Sequence, residues 1–275
     1  MSPTRDEILD GVQIPTLKES TQRVLSLIQD SSASTADFAK LIVTDPGLSS
    51  AVLRLVNSAL YSLRRRIVDV KDACILLGLR NLSSLCLSAA LAREMDATDA
   101  PAVRNCWRYG LATGQLARRL AKICCPDLET EASTAGLLHA VGMIAFIVAP
   151  ELDIDQWILE ATPTMNWSDI ERERVGFDHA DLAEHIVERW RFSPEICALV
   201  GAWESDTPSR PECWTLAVAS SLAQLHFPGF VHRADPAADL DRLYRLHPEL
   251  AERIGPHVEE VLEDVRSALE AVTSR

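Results

Sequence analysis

The residues of this chain best suited to chemistry are two histidines in apolar surroundings. His139 lies in Gly136-Leu137-Leu138-His139-Ala140-Val141-Gly142, and His179 lies in Gly176-Phe177-Asp178-His179-Ala180. Imidazole binds metals or moves protons near neutral pH. A hydrolytic metal centre also needs carboxylate ligands and an open position for the attacking water. The neighbour of His139 is Ala140, whose methyl group binds no cation. The simpler expectation for both histidines is a core residue whose ring nitrogens bond to backbone or water. Other routes to chemistry are missing: the sequence has no Gly-rich phosphate loop, no G-x-S-x-G elbow and no H-E-x-x-H pair.

The charged and sulfur-bearing residues set further bounds. A net charge of −13 opposes DNA as a partner, because nucleic-acid affinity comes from lysine and arginine displacing condensed counterions. Residues 1–100 hold 11 Lys+Arg against 12 Asp+Glu, which leaves 16 against 28 for the remainder. A basic patch is therefore confined to the N-terminal part, and Arg64-Arg65-Arg66 is that patch. Guanidinium groups bind carboxylates and phosphates in bidentate fashion, so the trio is the expected place for an acidic protein partner or a nucleotide phosphate, although a short charge run is more often a solvated face. Seven cysteines without C-x-x-C spacing read as small core residues of a reducing compartment. The vicinal Cys124-Cys125 pair before Pro126 reads as packing rather than as a redox sensor. The first residues are polar and acidic where an export signal would be basic and then apolar. No 18-residue apolar span is expected, so the reading is a cytoplasmic protein away from membranes.

The elements that must carry these residues read as helices throughout. Ser34-Thr35-Ala36-Asp37 is a capping-box pattern, Asp45-Pro46 an N-cap with proline at the first helical position, Ser168-Asp169-Ile170-Glu171 a full capping box, and Ser193-Pro194-Glu195 another N-cap. Gly78 suits a helix end at positive φ. The final segment from His257 places Val258, Val261, Leu262, Val265, Leu269 and Val272 on one stripe, fit to pack on the core or on a second copy. No alternating strand pair with a hairpin turn stands out. The expected fold is all-α, with a polar break at Asp96-Ala97-Thr98-Asp99-Ala100-Pro101 dividing residues 1–98 from 99–275.

The segments around the histidines resemble the ligand helices of the HD superfamily of metal-dependent phosphohydrolases. Gly136 to Gly142 is similar to that family's "GLLHD-G" stretch, with Ala140 in place of the acid. Cys106-Trp107-Arg108-Tyr109-Gly110-Leu111 resembles its "W-x-H-S" helix, with Tyr109 where the first histidine stands. Gly176 to Ala180 resembles "G-x-DHA" and keeps His179. Leu199-Val200-Gly201-Ala202-Trp203-Glu204 occupies the place of a histidine pair, so Trp203 and Glu204 replace ligands there. Ser220, in Ala219-Ser220-Ser221, takes the place of the closing aspartate. The resemblance implies a hydrolase scaffold with two imidazoles, no retained carboxylate ligand, no metal and no cofactor. Trp203 is expected to fill the vacated cavity.

The N-terminal half narrows the resemblance. Ile14-Pro15-Thr16-Leu17, Asp45-Pro46-Gly47-Leu48, Asn57-Ser58-Ala59-Leu60-Tyr61 and the run from Ile67 to Arg80 come in an order similar to that of HDOD, the HD-related output domain of bacterial signalling proteins, matched from about Ile14 to about Ser221. This implies an N-terminal helical subdomain packed on an HD-like helical bundle, and a non-enzymatic regulatory module acting on signalling proteins through protein–protein contact. A nucleotide or cyclic-dinucleotide sensor using the old pocket is the alternative, and a residual phosphohydrolase is a more distant one. The sequence leaves a homo-oligomer open.

Overall fold

Short polar signals set where the helices begin. In the computed structural model, which describes residues 17–58, 61, 63, 65–150, 152, 154, 156–157, 166–203, 211–227 and 235–273, all regular elements are helical. Helix α1 is Glu19–Gln29, α2 is Thr35–Thr44 and α3 is Pro46–Val56. Ser34 and Asp37 form the reciprocal capping box at the start of α2. Asp45 ends α2 and caps α3, accepting the Leu48 N–H at 3.0 Å, with Pro46 in the first turn. Arg93 pairs with the same carboxylate at 2.6 Å and so ties α3 to the long helix α4, Val70–Ala97. That helix bends at Gly78 (φ 67, ψ 173). The glycine supplies the left-handed backbone expected of it, but the chain resumes as helix beyond it instead of ending there.

Asn57 closes the loop between α3 and α4. Its amide donates to the carbonyls of Leu53 (2.6 Å) and Ile67 (2.7 Å), while its oxygen accepts the Ile67 N–H at 2.7 Å. The loop's Tyr61 lies under the Arg118 guanidinium, 4.5 Å from the ring centroid, and Arg118 pairs with Glu129 at 2.8 Å. One side chain thus satisfies both ends of a ten-residue excursion, which accounts structurally for the Asn57-Ser58 signature.

In the second part, α5 (Pro101–Cys124) is the axis. It packs against α4, α6 (Glu129–Leu138), α7 (Val141–Val148), α11 (Pro211–His226), α13 (Pro248–Ile254) and α14 (Val258–Thr273). Helix α9 (His179–Arg189) packs on α7 and α10 (Pro194–Ala202) on α6, α8 (Trp167–Val175) lies against α9, and α12 (Pro236–Leu246) packs on α11. Two crossings are glycine-dependent. A Cβ on Gly136 would lie 2.7 Å from Gly114 Cα, at the α5–α6 crossing, and a Cβ on Gly142 would overlap the carbonyl oxygen of His179, where α7 meets α9. The glycines of the histidine motif are thus needed for backbone approach rather than for chemistry.

Buried hydrophobic residues on both sides of the 97–101 break join one contiguous cluster. Val261, Leu262, Val265 and Ala268 of α14 enter it, packing back on α3, α4 and α5. Cys74, Cys86, Cys106, Cys197 and Cys213 are buried and all seven cysteines are free thiols. Burial pushes the Cys197 thiol up to about 11.

Two expectations need correction. Ser168 does not cap its helix: α8 starts at Trp167 after Asn166, and Glu171 turns inward. Two stretches, Val70–Glu94 and Pro126–Val148, are long and apolar enough by composition to cross a membrane. No such span is expected from the sequence. In the fold the most apolar windows of these stretches are 56% and 83% buried against other helices.

Candidate functional site

The positions that the resemblance singled out converge in the interior. Helix α5 presents Tyr109, the α6–α7 junction His139 and Ala140, the start of α9 His179, the end of α10 Trp203, and α11 Ser220. All six are buried, and His139, His179, Trp203 and Ser220 have no exposed surface. Glu204 lies outside the described residues.

The indole of Trp203 contacts both imidazoles. Its ring centroid is 4.9 Å from that of His139, at 83°, and 5.8 Å from that of His179, at 51°. Tyr109 meets the His139 ring edge-on at 4.7 Å. The Tyr109 hydroxyl is 2.6 Å from Ser220 Oγ, so two positions that would carry metal ligands hydrogen-bond to one another. Edge-to-face aromatic contacts of this kind contribute about 0.5–1.5 kcal/mol each beyond their area burial.

His139 Nδ1 lies 2.6 Å from the Gly136 carbonyl, which can only accept. His179 Nδ1 lies 2.6 Å from Glu171 Oε2, and the same oxygen accepts the His179 backbone N–H at 2.8 Å. Orienting imidazole through Nδ1 in this way is what a metal-ligating histidine does to present Nε2. The rest of the donor set does not follow: an indole touches both rings, a methyl replaces the acid at Ala140, and Tyr109 and Ser220 bond to one another. Among the described residues, no group of three or more His, Cys, Asp or Glu side chains is placed to hold a metal ion. These residues do not fit a bridged two-metal centre.

Glu171 is the interior residue that sequence reasoning missed. Read as the last member of a capping box, it is a buried carboxyl whose proton affinity burial pushes above the usual range, against the opposing pull of His179. Gly176, at φ 85, ends α8 in the left-handed region and turns the chain back, so that α9 begins over Glu171. Asp178 then starts α9 through a capping box with Asp181. Gly176 and Asp178 act as a helix stop and start, and their bearing on Glu171 depends on the turn between them.

The N-terminal part is arranged differently. Arg65 and Arg66 are exposed, and Arg64 lies outside the described residues. With Arg54 of α3, which the sequence reading did not single out, they line an open cleft of about 750 Å³ between α3, the Asn57–Ile67 loop and Ala271 of α14. A second, almost wholly apolar groove of about 520 Å³ runs between α2 and α4, with Val43 and Ile75 on its walls and Lys40 and Lys71 beside them. Val43 is 57% exposed and Ile75 82%.

Comparison with known proteins agrees with this architecture. The family model described as HDOD domain matches residues 14–205, a somewhat earlier end than the sequence reading placed at Ser221. An uncharacterized protein of Treponema pallidum is 28% identical over 209 residues, 75% of this chain. The chain spans 40% of the length of that relative. Among solved structures, an HDOD domain protein of unknown function from Geobacter sulfurreducens superposes with a TM-score of 0.72 at 21% identity, covering 96% of each chain. A protein of Shewanella amazonensis named as a candidate phosphohydrolase gives 0.70 at 20% identity, covering 96% of this chain and 97% of its own. A candidate signal transduction protein of Marinobacter aquaeolei gives 0.64 at 20% identity, over 97% of this chain and 61% of its own. Identities this low speak for the shared fold alone.

Proposed function

Because this chain belongs to the HDOD domain family, we propose that it is a cytoplasmic, non-enzymatic signal-transduction module that acts by binding other proteins, away from DNA and membranes and without a metal or other cofactor. The observation that carries the reading is the Trp203 indole packed against both His139 and His179, with no exposed surface. Water and a phosphoester would have to occupy the space the ring takes up, and a hydrolytic metal needs an open coordination position. The nucleotide-sensing alternative in the same pocket would require the indole to leave it.

Support for protein binding comes from the other end of the molecule. Ile75 and Val43 expose aliphatic surface along one groove, and Arg65 and Arg66 project from an adjoining loop. Contiguous exposed apolar surface edged by charge is characteristic of interaction faces. The deciding measurement is phosphodiesterase turnover of the full chain with added Mn²⁺ or Mg²⁺, beside elemental analysis of the purified protein. The expected result is no turnover above buffer and no stoichiometric metal. Turnover that His139→Ala abolishes would overturn the proposal.

A further inference from the structure

The arginine-lined cleft carries the inference furthest. Three guanidiniums, those of Arg54, Arg65 and Arg66, line one cavity of about 750 Å³ in a chain of net charge −13. None of the three pairs with a carboxylate among the described residues. Arg54 donates from Nη1 to Ser50 Oγ at 2.8 Å, while its Nε is buried without a hydrogen-bond partner. A donor held out of water without an acceptor is costly unless something supplies one. The remaining walls are aliphatic: Leu53, Leu63, Ile67 and Val68, the last 76% exposed.

From this we infer that the cleft binds an acidic, aliphatic peptide segment of a partner protein, the inference resting on the protein-binding reading above. Three features select that occupant. Carboxylates match the bidentate fork of guanidinium. Leucine, isoleucine or valine side chains match the Leu53–Ile67–Val68 walls. A nucleobase finds little to read: among the described residues no aromatic side chain lines the cleft to stack on it, and both ends of the Asn57 amide are engaged in closing the loop. Because the rest of the chain carries the excess acid, an acidic segment is repelled elsewhere and steered to this opening. The loop's own architecture supports the role, since Asn57 and the Tyr61–Arg118 contact hold its base in place and leave Arg65 and Arg66 projecting from it.

The test is selection of a random peptide library on the full wild-type chain and, in parallel, on the Arg65→Glu/Arg66→Glu double variant. Affinities of the selected peptides are then measured by fluorescence anisotropy. Expected is enrichment of peptides in which Asp or Glu alternates with Leu, Ile or Val, lost on the double variant. Arg54→Ala should weaken a selected peptide roughly tenfold, as for the loss of one charge-assisted contact. Far-ultraviolet circular dichroism should be unchanged, because Arg65 and Arg66 are exposed and make no side-chain hydrogen bond or ion pair among the described residues. Enrichment without acidic bias, equal enrichment on the double variant, or full displacement of the peptide by ATP would each overturn the inference. Equal enrichment on both proteins would leave the protein-binding reading standing with its surface elsewhere. Phosphodiesterase turnover would sink that reading while leaving the peptide result intact.

Discussion

The interior around His139 and the cleft around Arg65 make opposite use of polar residues. In the interior, Tyr109, His139, Glu171, His179 and Ser220 are buried, and each has a polar partner or an aromatic face against it. At the cleft, the exposed Arg65 and Arg66 and the half-buried Arg54 stand without carboxylate partners among the described residues. Burial makes an unsatisfied polar group costly, and in the interior Tyr109 leans on Ser220 and His179 on Glu171. Exposure removes that cost for Arg65 and Arg66, whose charges can stand ready for a partner. The difference teaches that this fold packs its buried polar groups against one another and leaves guanidinium charge facing solvent at the cleft.

The contrast can be broken most directly at Trp203. Trp203→Ala is expected to cost about 3–5 kcal/mol of folding stability, measured by equilibrium denaturation, because it opens a cavity among buried rings. A loss below about 1 kcal/mol would mean that the indole is not packed as described. Gly142→Ala should follow, at about 1–3 kcal/mol or more, since its methyl group would drive α7 off the His179 carbonyl; a neutral result would mean the α7–α9 crossing is looser than the structure has it.

Glu171→Gln tests the polar part of the interior and is expected to cost about 1–3 kcal/mol by weakening hydrogen bonds to His179. Its pH dependence has a definite sign. Burial raises the folded Glu171 above its ordinary 4.5, so the folded state binds the extra proton. The carboxyl's contribution is full below about pH 4.5 and lost as pH rises through the folded value. The stability difference between wild type and Glu171→Gln should therefore shrink as pH rises out of that window, and a difference that grows would exclude the assignment.

Smaller effects belong to the exposed half. Asp45→Ala should cost about 1 kcal/mol through loss of the α3 cap. Partial burial raises the Asp45 carboxyl, but the Leu48 N–H and Arg93 outweigh it and hold the group below its ordinary 3.8. Its contribution is therefore present above pH 3.8 and lost as pH falls through the folded value, opposite in sign to Glu171. Arg65→Glu/Arg66→Glu should change stability by no more than about 0.5 kcal/mol. A melt that moved much further would show the arginines to be structural.

The all-α fold and several helix starts were legible in the chain itself: Ser34, Asp45 and Ser193 are short-range signals, each accepting a backbone N–H three residues on. The meeting of Tyr109, His139, His179, Trp203 and Ser220 was anticipated only through family resemblance, since nothing local brings residues 111 positions apart, such as Tyr109 and Ser220, into contact. Glu171 was misread because Ser-x-x-Glu satisfies the local rule, while the Gly176 turn gave the carboxyl a stronger, buried partner. Arg54 was missed because its place beside Arg65 depends on how Asn57 folds the loop back onto α3.

Sequence by itself therefore determined the elements and the residue types available, because capping and periodicity act over a few bonds. Tertiary structure alone decided which polar groups were buried together and which were left facing solvent. That choice depends on desolvation, which exists for a side chain only once distant helices have closed around it.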